Sequence, residues 1–351
     1  MRKLSVNTIR FLSIGILPII ILFILYLFLD PFKVIKSYDT FYDSKAKGRV
    51  GINKDYVGTI TFNNNSKRIA YNSFIFGNSR SIFYQVSDWK KHLPQNAACF
   101  HYDASGEALW ALNKKIEFLD NKGVNIENVL LILDYVTLIQ DKPQSGHLFI
   151  ISPELVNNSN IFEFHKTFFL AFLSPKFLYA FIDFKISNIV KPYMKKNNLL
   201  DDKPQNYDIS TNELRLDDFE KLISANKYYT EERLSVFFDR DTVQRFSPQS
   251  ITENQMTILT NIQSIFKKHN TKVKIVISPI YDQIKLNDMD LVYLKSLFGT
   301  ENVFDFSGIN KFTMNYKNYY ESSHYRPHVT REIMEIIYAN KKNMEIKYVN
   351  K

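Results

Sequence analysis

The chain of 351 residues holds one cysteine, Cys99, and only 10 glycines. A single cysteine excludes an intramolecular disulfide and any cysteine-built zinc site. Cys99 lies in the apolar-leaning stretch NAACFHY and reads as a small buried residue, not a nucleophile. The shortage of glycine goes with the absence of a Rossmann or P-loop fingerprint, so no nucleotide cofactor is expected. There is no long basic block and no recognisable nucleic-acid module, although the net charge is +9 and the pI about 9.2. No nucleic-acid partner is therefore expected. The positive excess suits an anionic membrane or envelope surface. Internal repeats and low-complexity tracts are also missing.

Apolar and aromatic residues are plentiful. Hydrophobic residues make up 45% of the chain, with 29 Phe and 21 Tyr. That is enough for one large α/β domain with an insertion. The longest apolar run is FLSIGILPIIILFILYLFL, residues 11–29, which carries no charge and follows Arg2, Lys3 and Arg10. At about 1.5 Å rise per residue it spans most of a bilayer's hydrocarbon core. It reads as an uncleaved signal anchor in preference to a cleaved signal peptide, because no A-x-A-like site follows. The flanking cations place the N-terminus in the cytoplasm and the rest of the chain outside it, on the inner (cytoplasmic) membrane. Residues 1–37 are then the membrane anchor and 38–67 a connector of little periodicity.

Strands and helices alternate after the connector. RIAYNSFIF (68–76), AACFHYDAS (97–105) and NVLLILDY (128–135) read as buried strands, and helical spacing covers 81–93 and 106–123. The alternation resumes with a helix over 250–270, where Ser250 and Glu253 suggest a capping box. Strands at 272–281 and 302–308 follow, then a helix over 326–340 opened by Pro327. Such alternation predicts a parallel sheet in a three-layer α/β/α, flavodoxin-like domain over 68–345. Residues 140–250 interrupt it as a helical insertion. Its aromatic part, FHKTFFLAFLSPKFLYAFIDFKISNIV, is broken by Lys166, Pro175, Lys176, Asp183 and Lys185, and so reads as a packed helix pair. A membrane-facing or partner-facing surface is the alternative. Residues 195–235 are polar and read as a solvated loop and helix.

The candidate chemistry lies at two strand ends. FIFGNSRS places Ser79 just past the first strand, where a nucleophile could use the free N–H groups of a following helix. A simple turn is the competing reading of the same residues. Near the C-terminus, NYYESSHYRPHV sets Glu321 three residues before His324, close enough to orient the imidazole as a base. A loop histidine capping the next helix is the plain alternative, and a metal pair of His324 with His328 lacks a further ligand.

Gly77-Asn78-Ser79-Arg80 resembles the first block of the SGNH/GDSL hydrolase superfamily, usually Gly-Asp-Ser. Ser105-Gly106 resembles the second block, and ESSHYRP the last, Asp-x-x-His. The His-Tyr-Arg-Pro run resembles SGNH-like domains found beside membrane acyltransferases that O-acetylate cell-surface polysaccharides. The resemblance covers roughly residues 70–140 and 250–340. It implies a Ser79–His324–Glu321 triad, an oxyanion hole from the N–H groups of Ser79 and Gly106, and no cofactor or metal. It departs from the pattern at Asn78, which stands for Asp, at Glu321, which stands for Asp, and at Asp134, where the third block's oxyanion asparagine is expected. Asn78, Arg80, Asp134 and Arg326 are candidate substrate contacts. Arg80 has a salt bridge across the loop as its plain reading.

The expected function is that of an exported, membrane-anchored serine esterase or O-acyltransferase acting on acyl, most simply acetyl, groups of envelope polysaccharide. Its expected partners are the membrane, a glycan and a multi-span acyltransferase. The alternative is a catalytically silent glycan-binding scaffold of the same fold.

Overall fold

A computed structural model describes residues 2–43, 47–202 and 206–339, with side chains from Ile16 onward. Two compact units are built from interleaved segments: Met1–Val57 with Ser145–Pro204, and Gly58–Gln144 with Gln205–Lys351.

The second unit is built on a five-stranded sheet. Its strands are β1 (Ser73–Gly77), β2 (Cys99–Asp103), β3 (Asn128–Leu133), β4 (Lys272–Ile277) and β5 (Val303–Asp305). They lie in the order β2-β1-β3-β4-β5, all parallel, which is the strand order of flavodoxin-like sheets. Registers Phe76↔Leu131 and Leu131↔Ile275 place the apolar runs side by side. Successive side chains point to opposite faces, so each strand feeds two cores. Ile75, Leu130, Ile132 and Val276 pack on one face with Trp89 and with Ile333, Met334 and Ile337 of the C-terminal helix Pro327–Tyr338. On the other face, Phe62 stacks on Tyr102 and meets Phe74 tilted and Phe100 edge-on. Helices Leu109–Asn121 and Glu253–Lys268 pack together in that layer. Helices thus cover both faces, as a three-layer α/β/α arrangement requires.

Several local expectations change. The supposed connector contains a helix, Lys54–Asn65, whose Phe62 is buried in the sheet's aromatic layer. Its β-branched residues and Gly58 weaken the helical signal, and packing supplies what propensity does not. The expected helix over 81–93 is broken into a 3₁₀ turn, Ser79–Phe83, a short helix, Val86–Trp89, and a second 3₁₀ turn, Lys90–His92. The 250–270 helix starts later than expected: Thr252 and Gln255 form its capping box, while the Ser250 N–H donates to Asp290 at 2.7 Å. The single insertion over 140–250 is divided between the units. Its polar C-terminal part is not simply solvated, since Tyr228 is buried and its hydroxyl donates to the Tyr320 carbonyl at 3.1 Å.

The first unit is helical. We label its elements α1 (Arg2–Leu29), α2 (Ile161–Phe172) and α3 (Pro175–Ser187). Tyr26, Phe32 and Val34 share a core with Phe164, Phe168 and Phe172 of α2 and with Phe177 and Phe181 of α3. The chain leaves α1 through Asp30, whose carboxylate accepts the N–H groups of Val34, Ile35 and Lys36 at 2.9, 3.1 and 2.9 Å. The side chains of residues 11–15, part of the expected anchor, lie outside the described residues, as does the expected domain end at 345. Among the described residues no single helix is long and apolar enough to cross a membrane; Ile16–Leu29 is a shorter apolar helix, and α2 with α3 forms an apolar pair bent by 68°.

Candidate active site

The site lies past the C-terminal ends of the strands, where parallel α/β sheets bind ligands. β1 ends in Gly77, whose φ is +152° and where an added Cβ would sit 2.7 Å from the Ile132 carbonyl oxygen of β3. Only glycine allows that approach. Asn78 follows and caps the 3₁₀ turn, its Oδ1 accepting the Arg80 N–H at 3.0 Å. Ser79 is thereby lifted clear of the sheet at the start of the turn.

The Ser79 hydroxyl lies 2.8 Å from His324 Nε2. His324 is on a short antiparallel hairpin, β6 (Tyr319–Glu321) with β7 (His324–Tyr325), in which Glu321 is paired directly with His324. The pairing brings Glu321 Oε1 against His324 Nδ1. A carboxylate there holds the proton on Nδ1 and leaves Nε2 free to accept from Ser79. Burial favours a raised Glu321 pKa, but the imidazole, the Ser323 N–H and the Arg80 guanidinium outweigh it and hold the carboxyl below its ordinary value. The Ser323 N–H donates to the second carboxylate oxygen at 2.8 Å. The structure therefore brings Ser79, His324 and Glu321 together as the sequence spacing suggests.

Two backbone donors lie on adjacent strand ends. Gly77 pairs with Asp103 in register, so Ser79 and Gly106 follow neighbouring positions of β1 and β2. Gly106 has φ +57°, a left-handed conformation suited to glycine. Neither residue's N–H is hydrogen-bonded among the described residues. Because a 3₁₀ turn replaces the expected long helix, these N–H groups, rather than a helix dipole, are what the backbone offers an oxyanion.

The remaining candidates are hydrogen-bonded within the fold. Asp134 is 1% exposed. Its Oδ2 accepts from Asn78 Nδ2 and from Arg80, each at 2.7 Å, and its Oδ1 accepts the Thr137 N–H at 2.8 Å. Asp134 thus accepts three hydrogen bonds from within the fold. Asn78 is buried with it and also donates to Thr137 Oγ1 at 3.0 Å. Arg80 reaches further: its Nε donates to the Ser323 carbonyl at 3.1 Å and a terminal nitrogen to Ser323 Oγ at 3.2 Å. It ties the serine turn to the histidine hairpin, which is the salt bridge across the loop. Arg326 is engaged by Glu220, with Nε–Oε1 at 2.9 Å and Nη2–Oε2 at 2.7 Å, and donates to the Lys317 carbonyl. Four residues expected at the substrate are thus bound within the fold.

Glu220, Ser323 and Thr137 were not singled out in the sequence. Ser323 stands within the ESSHYRP stretch, between Glu321 and His324. Glu220 lies in the polar helix Asp217–Ser224, 106 residues from Arg326, with nothing local to mark it. His328 Nε2–H donates to Asn318 Oδ1 at 3.0 Å. Among the described residues no group of three His, Cys, Asp or Glu side chains is arranged to hold a metal ion.

Neither a known family model nor a curated protein matches the chain.

Proposed function

We propose that the chain is a serine esterase or O-acyltransferase of the SGNH kind, anchored by residues 11–29 with its sheet-containing unit outside the cytoplasm, acting on acyl groups of envelope polysaccharide. The observation that carries the reading is the continuous relay from Ser79 Oγ through His324 to Glu321, with the unbonded N–H groups of Ser79 and Gly106 just past the ends of adjacent strands. Ser79 Oγ attacks the acyl carbonyl carbon as His324 Nε2 takes its proton, and the N–H groups of Ser79 and Gly106 receive the oxyanion. Glu321 stabilises the imidazolium. His324 then protonates the departing alkoxide as the ester C–O bond breaks, leaving an acyl ester on Ser79. A sugar hydroxyl, or water, attacks that ester while His324 removes its proton. The proton returns to Ser79 Oγ as the acyl group leaves. Transfer from a membrane acyltransferase to a glycan and simple hydrolysis differ only in the second nucleophile.

One observation favours a non-catalytic glycan scaffold instead. With Asp134 turned to Arg80, no side-chain donor from β3 completes the hole, and losing one such donor costs about 10²–10³ in rate in a well-studied protease. A fluorophosphonate probe separates the readings. Labelling of the full chain that disappears in Ser79→Ala supports the enzyme. A folded protein that is never labelled supports the scaffold.

A further inference from the structure

The first unit exposes more apolar surface than its own fold accounts for. On α3, Tyr179, Ile182 and Ile186 are 67%, 41% and 81% exposed. Their spacing puts them on one stripe of a helix turning about 100° per residue. The opposite side of α3 is the buried one, formed by Phe177, Ala180, Phe181 and Phe184. On α2, Phe162 is 79% exposed while Phe164, Phe168 and Phe172 face the core. A helix pair needing only one packed side would carry polar residues on the other. Here the outer side carries an apolar stripe as well, and such faces mark an interaction surface.

Geometry and charge select the occupant. From Ile16 to Ile24, α1 exposes apolar side chains around most of its circumference, as a helix surrounded by hydrocarbon does. α2 is joined to that same helix: the Phe23 and Phe169 rings are 5.1 Å apart and the Tyr26 and Phe172 rings 5.4 Å. Phe23 precedes the end of α1 by six residues, so Phe169 lies within about 9 Å of the level at which α1 ends. Amphipathic helices lie about 5–10 Å into the headgroup and acyl boundary. The α2–α3 pair carries net positive charge. Within the two helices Lys166, Lys176 and Lys185 outnumber Glu163 and Asp183; Glu163 is paired with Lys166 at 3.0 Å and Asp183 with Lys191, just past α3, at 2.7 Å, which leaves Lys176 and Lys185 in excess. Lys176 and Lys185 fall on either side of the α3 stripe, roughly 80–100° from its centre. Lysines flanking an apolar stripe suit an anionic bilayer surface.

Neither helix is long enough to cross alone. With 12 and 13 residues, α2 and α3 are about 18 and 20 Å long, each too short for a hydrocarbon core of about 30 Å, and the bend of 68° prevents one continuous span.

We infer that α2 and α3 form a membrane-embedded interfacial hairpin. Its stripe of Tyr179, Ile182 and Ile186, together with Phe162, is sunk in the lipid leaflet beside α1 and the lysines rest among anionic headgroups. This inference rests on the reading of α1 as a membrane anchor. The hairpin then holds the helical unit against the leaflet rather than leaving it on a free tether.

The test uses the full chain in vesicles of phosphatidylethanolamine and phosphatidylglycerol. A solvent-sensitive NBD label is placed on single cysteines introduced as Phe162→Cys, Ile186→Cys, Ile20→Cys and Lys267→Cys, each at an exposed position. Nitroxide-bearing lipids, shallow or deep in the acyl chain, serve as quenchers. The expected result is blue-shifted emission at 162 and 186 lost to the shallow nitroxide, loss at 20 to the deep one, and no loss at 267. Quenching at 20 without quenching at 162 and 186 overturns the hairpin while leaving the anchor intact. Quenching at 162 and 186 without quenching at 20 supports the hairpin and removes the anchor. No quenching at any site removes both. Blue-shifted emission at 186 that neither nitroxide quenches puts a protein or a second copy over the stripe, and overturns the inference.

Discussion

Ser79 Oγ and His324 Nε2 stand 2.8 Å apart although 245 residues separate them in the chain. Members of such a relay act as one unit, so their losses do not add. Ser79→Ala and His324→Ala should each lower acyl-ester hydrolysis by a similar factor, on the order of 10⁶ where the basal rate allows it to be read, and the double variant should lose no more. Glu321→Gln should lose less, up to about 10⁴, because an amide can still meet the ring but cannot stabilise its charge. Hydrolysis of p-nitrophenyl acetate by the four proteins checks this. A double variant far below either single one would show that the groups act separately.

Asn78 and Asp134 form a matched donor and acceptor beneath the nucleophile. Asn78→Asp sets two carboxylates against each other, and Asp134→Asn sets an amide nitrogen or a weaker acceptor before Asn78 and Arg80. Each should cost about 1–3 kcal/mol, read by chemical denaturation, from unsatisfied buried groups. The costs should be non-additive in the double exchange, which restores one donor facing one acceptor. Asp134→Asn should lower hydrolysis rather than raise it, since the residue holds Arg80. A gain in hydrolysis would contradict that placement.

Glu220 gives a pH signature. Burial acts to raise its pKa, but the Arg326 guanidinium and the Tyr320 hydroxyl outweigh this and hold it below 4.5. A carboxylate depressed on folding contributes stability that is complete above its unfolded value and lost as pH falls through the folded one. Thermal melts should therefore show a falling midpoint below about pH 4.5, with a shallower fall in Glu220→Gln because one such group is gone. An unchanged slope would mean that the Glu220–Arg326 pair contributes nothing to holding the hairpin.

Cys99 is buried, and burial pushes its thiol up to about 11. The thiolate is the reactive form. The native protein should thus fail to react with a disulfide reagent at neutral pH, while the denatured chain should titrate one thiol. Rapid reaction of the native protein would contradict the buried placement.

Much was legible in the sequence because it depends on neighbours along the chain. Apolar runs of strand length marked β1, β3 and β4, and strand–helix alternation pointed to a parallel sheet. Gly77-Asn78-Ser79 and Glu321-x-x-His324 carry their geometry in a few consecutive residues, through a turn and a two-strand pairing. The partners of Asp134, Arg80 and Arg326 were another matter. A charged side chain looks the same whether it faces substrate or a buried counter-charge, and only the packing of β1 on β3 and of 217–224 on the hairpin decides which. The helix Lys54–Asn65 was hidden for a related reason. Its residues are indifferent helix formers, and its fold is decided by Phe62 entering an aromatic layer contributed by β1 and β2, an energy of burial that no local pattern records.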